Sequence, residues 1–132
     1  MKRLLTSAAV LIATVGSLLA VFGTAPAMAQ SRSYYGAIAV SIDTGHYSFT
    51  YNYSSYSEAE SAAVSSCLRN GGGSDCDAKL SWRNGCGALA ISKGWWSYGS
   101  GATITAAKNK ALSNNPGSAR IEHWNCTSGY SL

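Results

Sequence analysis

The stretch YGAIAVS at Tyr35–Ser41 returns fifty-one residues later as CGALAIS at Cys86–Ser92. The residues beyond each copy also run in step. YGAIAVSIDTGHYSFTYNYSSYSEAESAAVSSC extends from Tyr35 to Cys67, and CGALAISKGWWSYGSGATITAAKNKALSNN from Cys86 to Asn115. Each begins as a short Gly-Ala-aliphatic strand, turns at a glycine, passes through aromatics and enters an Ala-rich helical segment. Each then closes on a tryptophan, Trp82 in the first copy and Trp124 in the second. Such self-similarity reads as a duplicated unit whose halves bury each other's apolar faces.

Local patterns support this reading. Ile38, Val40 and Ile42 alternate with Ala37, Ala39 and Ser41, the period of a strand. Asp43 to His46 (DTGH) is a turn, after which Tyr47, Phe49, Tyr51 and Tyr53 alternate with Ser48, Thr50, Asn52 and Ser54. That predicts a β-hairpin with one aromatic face. Ser57 stands three residues before Glu60, the spacing of a capping box, and Ala59, Ala62, Ala63 and Cys67 share one face of the helix it starts. NGGGSD ends the helix, and Ala78, Leu80 and Trp82 alternate in a third strand. Asn84-Gly85 is the strongest short hairpin signal in the chain, and it predicts that the third strand folds directly onto the phrase beginning at Cys86. The expected fold is therefore α+β: two ββαβ repeats, 35–82 and 86–127, forming an antiparallel sheet with two helices in one duplicated domain. Gly36 and Gly87 mark a close backbone approach or a bulge. The phrase lacks the glycine spacing and the lysine of a P-loop, so it reads as scaffold.

The leader bounds the setting. Lys2 and Arg3 precede an apolar run from Leu4 to Phe22, and Ala27-Met28-Ala29 has small residues where a signal peptidase reads. The run is long enough for a membrane span, but the Ala-x-Ala site favours residues 1–29 as a signal peptide, with no stable membrane anchor after cleavage. Residues 30–34 and 128–132 read as short tails. Without Lys2 and Arg3, eight basic side chains stand against six acidic ones, scattered along the chain. That argues against a nucleic-acid partner.

Cys67, Cys76, Cys86 and Cys126 all lie beyond the leader. An even count in an exported chain reads as two disulfides, and no pair has the Cys-x-x-Cys spacing typical of zinc. The second copy has Asn115 where the first has Cys67, and its PGSA loop lacks a counterpart of Cys76. Absent together, these two are expected to be bonded to each other, leaving Cys86 to join Cys126.

The order of YGAIAVS, the EAESAA helix, Cys-loop-Cys, a strand ending in Trp, RNGCGALAIS and a closing WNCT resembles the domain-of-unknown-function 4189 family of small exported bacterial proteins, common among mycobacteria-like actinobacteria. The resemblance covers Tyr35 to Thr127, and RNGCGALA is its most specific segment. The NNPGSA stretch departs from it, since a second Cys-bearing loop is more usual there. The resemblance implies export, one compact disulfide-bonded domain and a role at the cell surface or in the host. The family has no established reaction, so it supplies no catalytic residues.

Candidate sites are few. His46 beside Asp43 and His123 beside Glu122 could supply a general base, but no nucleophile motif such as G-x-S-x-G accompanies them, and they belong to different copies. Glu58 and Glu60, two apart on a helix, do not face each other, and their place in the first turn suits the helix dipole. NGGGSD could form an anion nest, but Gly-rich loops between bonded cysteines are commonplace. No metal constellation, cofactor fingerprint or catalytic set emerges. The aromatics are more informative. Neighbours on a strand point to opposite faces, so Trp95 and Trp96 cannot both be buried on one face. An exposed Trp near Tyr98 and Lys93, together with Tyr51 and Tyr53, could stack on a sugar or dock a protein. The sequence therefore predicts a secreted, non-enzymatic binding or effector protein with a protein or glycan partner. A small cell-wall-active hydrolase and a structural envelope protein are the alternatives.

Overall fold

The computed structural model describes residues 32–130. The signal-peptide reading of 1–29, with cleavage after Ala29, lies outside the described residues, as do residues 30, 31, 131 and 132 of the two tails. The elements are β1 (Tyr35–Ser41), β2 (His46–Tyr53), α1 (Tyr56–Arg69), β3 (Asp77–Arg83), β4 (Cys86–Ser92), β5 (Trp95–Gly101), α2 (Ile104–Ser113) and β6 (Arg120–Cys126). This is the α+β, twice ββαβ order that the repeated phrase predicts.

The strands form two sheets where the sequence suggested one. The first has the order β2-β1-β3 and the second β5-β4-β6, with every pairing antiparallel. Alternation along β1 explains the layering. Its Ala37 and Ala39 face α1, against Ala59, Ala63 and Cys67. Ile38 and Val40 face the other way, joining Trp82 with Tyr47, Phe49, Leu80, Trp96 and Tyr98 in a core between the sheets. In the second repeat, α2 lays Ala107 and Ala111 on Cys86, Ala88 and Ala90. The result is a four-layer stack of helix, sheet, sheet and helix. Small residues let the helices sit close, and strand hydroxyls tie them down. Thr50 Oγ1 donates to the Ala59 carbonyl and Ser97 Oγ to the Ala111 carbonyl, each at 2.8 Å.

Asn84-Gly85 does not close a hairpin between β3 and β4. It carries the chain from one sheet to the other, and its two residues are held by the segments that flank β1 and β6. The Asn84 N–H donates to the Tyr34 carbonyl at 2.8 Å, and the Gly85 N–H donates to Thr127 Oγ1 at 2.9 Å. Asn84 does adopt the left-handed conformation expected of a turn, with φ 47°. The local signal is sound, but the partner choice is tertiary. The helix cap also differs from the expected one. Ser55, not Ser57, caps α1 by accepting the Glu58 N–H at 3.2 Å, while Ser54 donates to the Glu58 carboxylate.

The register corrects the alignment of the two tryptophans. Gly36 pairs with Trp82, but Gly87 pairs with Asn125, and Trp124 pairs with Ala88. The counterpart of Trp82 is therefore Asn125, and that of Trp124 is Ser81. Trp82 lies in the inter-sheet core, and both phrase glycines accommodate it. A β-carbon at Gly36 would lie 2.4 Å from the indole, and one at Gly87 2.3 Å. The indole Nε1 is buried with no hydrogen-bond partner among the described residues, a cost of about 1–3 kcal/mol. Burying roughly 200 Å² of aromatic surface at about 25 cal/mol per Å² returns about 5 kcal/mol, so burial wins.

Both disulfides are formed. Cys67–Cys76 closes the loop after α1, and Cys86–Cys126 ties the start of β4 to the end of β6. No described helix is long and apolar enough to cross a membrane.

Candidate functional site

The aromatic residues singled out in the sequence do not form one patch. Trp95 is 58% exposed, while Trp96 and Tyr98 turn into the inter-sheet core, as strand alternation requires of neighbours. Trp95 pairs with Ser92 at the far end of β4, whereas Tyr53 pairs with Tyr35 at the start of β1. The starts of β1 and β4 share one indole, so Trp95 and the Tyr51–Tyr53 pair sit at opposite ends of the stack, on the order of 20 Å apart at strand rise. Tyr51 and Tyr53 are both exposed.

At the Tyr53 end lies a cleft of about 360 Å³ lined by Arg32, Ser33, Tyr34, Asn52, Tyr53 and Ser54. Its shape follows from a bulge. Tyr35 pairs with Tyr53 but Ala37 with Thr50, so β2 carries an extra residue between these pairs. Asn52 has φ 63°, a left-handed conformation that asparagine tolerates better than most residues. Its side chain is clasped by Ser128: Nδ2 donates to Ser128 Oγ at 2.7 Å, and Oδ1 accepts the Ser128 N–H at 2.8 Å. The opposite wall is fixed through Asn84 Oδ1, which accepts the Tyr34 N–H at 2.8 Å, and Arg83 Nε, which donates to Ser33 Oγ at 3.0 Å. Nearby, Tyr35 and Tyr56 meet edge to face at 4.6 Å. The surface here is thus held by hydrogen bonds on both walls and rich in Tyr, Ser and Asn.

A second cleft, of about 450 Å³, opens along the edge strand β6 and is lined by Lys108, Ile121, Glu122, His123 and Trp124. It also sits at a bulge, with Glu122 between the His123–Leu89 and Ile121–Ala90 pairs. Arg120 Nη2 holds the Glu122 carboxylate at 2.8 Å. The Lys108 ammonium sits 4.8 Å from the centre of the Trp124 ring. The His123 ring packs 4.6 Å from Phe49. Burial raises the Tyr47 phenol above its ordinary value, and the Glu122 charge adds to the rise.

His46 belongs to a different arrangement. Thr44 Oγ1 donates to Ser41 Oγ at 2.8 Å, and Ser41 Oγ donates to Asp75 Oδ1 at 2.5 Å. With the Thr44 hydroxyl hydrogen so engaged, His46 Nδ1 donates to Thr44, whose Oγ1 lies at 3.1 Å. Ser, His and Asp are all present, but the order is wrong for a nucleophile. The hydroxyls separate the imidazole from the carboxylate, and Ser41 is fully buried. Ser41 also accepts the Gly73 N–H at 3.0 Å, so the network anchors the Cys67–Cys76 loop and engages part of its supposed anion nest. Hydrogen bonds from the Asp43 N–H and from Ser41 hold the Asp75 carboxyl below its ordinary value. Glu58 and Glu60 also diverge, Glu58 to the cap and Glu60 to Ser81 Oγ at 2.7 Å.

Residues 35–126 match the family described as Domain of unknown function (DUF4189). The chain belongs to this family. Among relatives similar to this DUF4189 chain are Protein Rv1269c of Mycobacterium tuberculosis and Protein Mb1300c of Mycobacterium bovis. Each is 37% identical over 98 residues, spanning 74% of this chain and 73% of the relative. The NMR structure of Rv1813c from Mycobacterium tuberculosis superposes with a TM-score of 0.55 at 24% identity, covering 96% of this chain and 98% of that one. The likeness extends to the fold.

Neither the Arg32–Ser54 cleft nor the exposure of Trp124 beside Lys108 is anticipated by the sequence. Asn52 carries no signal, because its bulge depends on pairing with β1. Trp124 carries one: Trp82 is followed by Arg83, but Trp124 stands two residues before Cys126. Counting back from the pairing partners of Tyr35 and Cys86 separates the two tryptophans by one place.

Proposed function

We propose that this DUF4189 protein is an exported, non-catalytic binding protein that engages a protein partner at the cell envelope through its tyrosine-rich end. The observation that carries the reading is the cleft at Asn52, where the left-handed backbone and double clasp to Ser128 position Tyr53, and Asn84 Oδ1 fixes Tyr34, before any partner arrives. Tyrosines offer large contact area at low entropic cost, with Ser and Asn supplying adaptable hydrogen bonds; binding loops favour this composition. Strained backbone held by its surroundings is a feature of ligand clamps. Export is supported by the two disulfides and by the leader-like sequence of residues 1–29.

A second reading, a small cell-wall hydrolase, draws on His123 and Glu122 lining one cleft. The imidazole packs on Phe49, however, and no hydrogen bond joins it to the carboxylate among the described residues. One experiment tests both readings. The oxidised chain from Gln30 onward is incubated with intact and protease-stripped bacterial envelopes, and pelleted protein and released soluble fragments are followed together. The expected result is pelleting on intact envelope only, no fragments, and a severalfold loss in Tyr53→Ala. Fragment release would establish the hydrolase. Equal pelleting of wild type and variant would remove the tyrosine surface from consideration.

A further inference from the structure

The two repeats offer an internal control for each surface position. Helix caps Ser55 and Thr103 correspond, as do Ala59 with Ala107 and Cys67 with Asn115, so Lys108 stands where the first repeat has Glu60. The strand register equates Trp124 with Ser81. In the first repeat this pair is closed: Ser81 Oγ donates to Glu60 at 2.7 Å. In the second, the same place holds an ammonium 4.8 Å from an indole that is 39% exposed. The fold does not require an aromatic there, since its twin manages with serine. A cation–π contact at an exposed site contributes only about 0.5–1 kcal/mol, which is a weak structural reason to keep a large indole in water.

We propose that the β6 cleft is a binding site for a pyranose ring, with Trp124 as the platform for its apolar C–H face and Lys108 and Glu122 as partners for its hydroxyls. The lining fits that chemistry. Sugar recognition needs an aromatic face beside both donors and acceptors, and here an ammonium and a carboxylate line the same cleft as the indole. A volume of about 450 Å³ suits one ring, since small-molecule sites begin near ~300 Å³. The charges are mixed. A phosphate-bearing ligand drawn to Lys108 would meet the Glu122 carboxylate, and a purely apolar one would strip water from both charges. An uncharged polyhydroxylated ring does neither. The platform is also rigid. Trp124 pairs with Ala88, and two residues later Cys126 is bonded to Cys86.

The test uses the oxidised chain from Gln30 onward, with the indole N–H signals followed by NMR. The probes are tetramers of N-acetylglucosamine and of β-linked glucose, with ATP as the phosphate-bearing comparison. The expected result is a saturable shift of the Trp124 indole by at least one tetramer and a weaker response to ATP. Trp124→Ala, at a surface position, should retain the fold and weaken sugar binding at least about tenfold, about the scale of one aromatic contact. Trp124→Phe should retain most of it, Lys108→Ala should lose part, and Tyr53→Ala should change nothing, which separates this site from the tyrosine-rich end. No saturable shift with either tetramer, tighter binding of ATP, or sugar binding that survives Trp124→Ala would each overturn the proposal.

Discussion

Gly36 and Gly87 lie against the same indole, and their α-hydrogens fill all the space there is. At Gly87 the three nearest atoms to an added methyl all belong to the Trp82 ring, whereas at Gly36 the methyl would also lie 2.7 Å from the Thr50 carbonyl oxygen. The two positions should therefore respond differently to the same change. Gly36→Ala and Gly87→Ala are each expected to lower stability by about 2–3 kcal/mol, the upper range for overpacking. Trimming the indole in Gly87→Ala/Trp82→Leu should recover part of that loss, while Gly36→Ala/Trp82→Leu should recover less because the carbonyl stays. Urea midpoints check this; equal recovery at both glycines would mean that the Thr50 contact is relieved by a small backbone shift. The importance of these glycines was legible in the sequence, as a close approach or bulge. What they approach was not, because Trp82 is forty-six residues from Gly36 and only the strand register brings them together.

Each helix-to-strand loop is fastened differently in the two repeats. The first uses Cys67–Cys76, reinforced by Asp75 accepting from Ser41 and from the Asp43 N–H. The second places Asn115 at the Cys67 position, where Oδ1 accepts from Ser92 Oγ at 2.6 Å and from the Gly117 N–H at 3.0 Å, and Nδ2 donates to Ser97 Oγ at 3.0 Å. A nearly buried amide takes the place of a covalent bond. The Cys86–Cys126 bond spans 40 residues against 9 for Cys67–Cys76. On the chain-entropy model these contribute about 4 and about 2.5 kcal/mol. The Cys86→Ser/Cys126→Ser variant should thus lose more stability than Cys67→Ser/Cys76→Ser, as read from denaturant midpoints under non-reducing conditions. Equal losses would show that loop length is not what separates them. The pairing was legible because both partners vanish together from the second copy. The substitute was not, since nothing local distinguishes a stapling asparagine from one in a turn. At this scale sequence also misplaced the Asn84-Gly85 link. A hairpin signal fixes backbone conformation over two residues, but which strands then pair is decided by the burial of whole faces.

Across the whole molecule, stability depends on keeping the space between the sheets free of charge. Tyr98 tests that directly. Burial in the inter-sheet core, with a smaller contribution from the Asp77 charge, pushes its phenol from an ordinary 10.0 up to about 12. The raised value favours the neutral form in the folded state, so the associated stability is fully present below pH 10. It falls as the unfolded chain ionises above pH 10, and the fall levels off near pH 12 once the folded state ionises too. Tyr98→Phe should flatten that part of the stability profile, measured by denaturant unfolding at stepped pH; an unchanged slope would assign it to other tyrosines. The layered stack also bears on ancestry. A molecule made of two like halves invites the idea that one half once met a copy of itself. Trp82 forbids that for the present first half. It occupies the glycine notches of both strands, while its counterpart across the stack is the smaller Asn125. Two copies of the first half would bring two indoles to a gap with room for one. The halves have become a lock and its key, and a single chain now guarantees that one of each is always made.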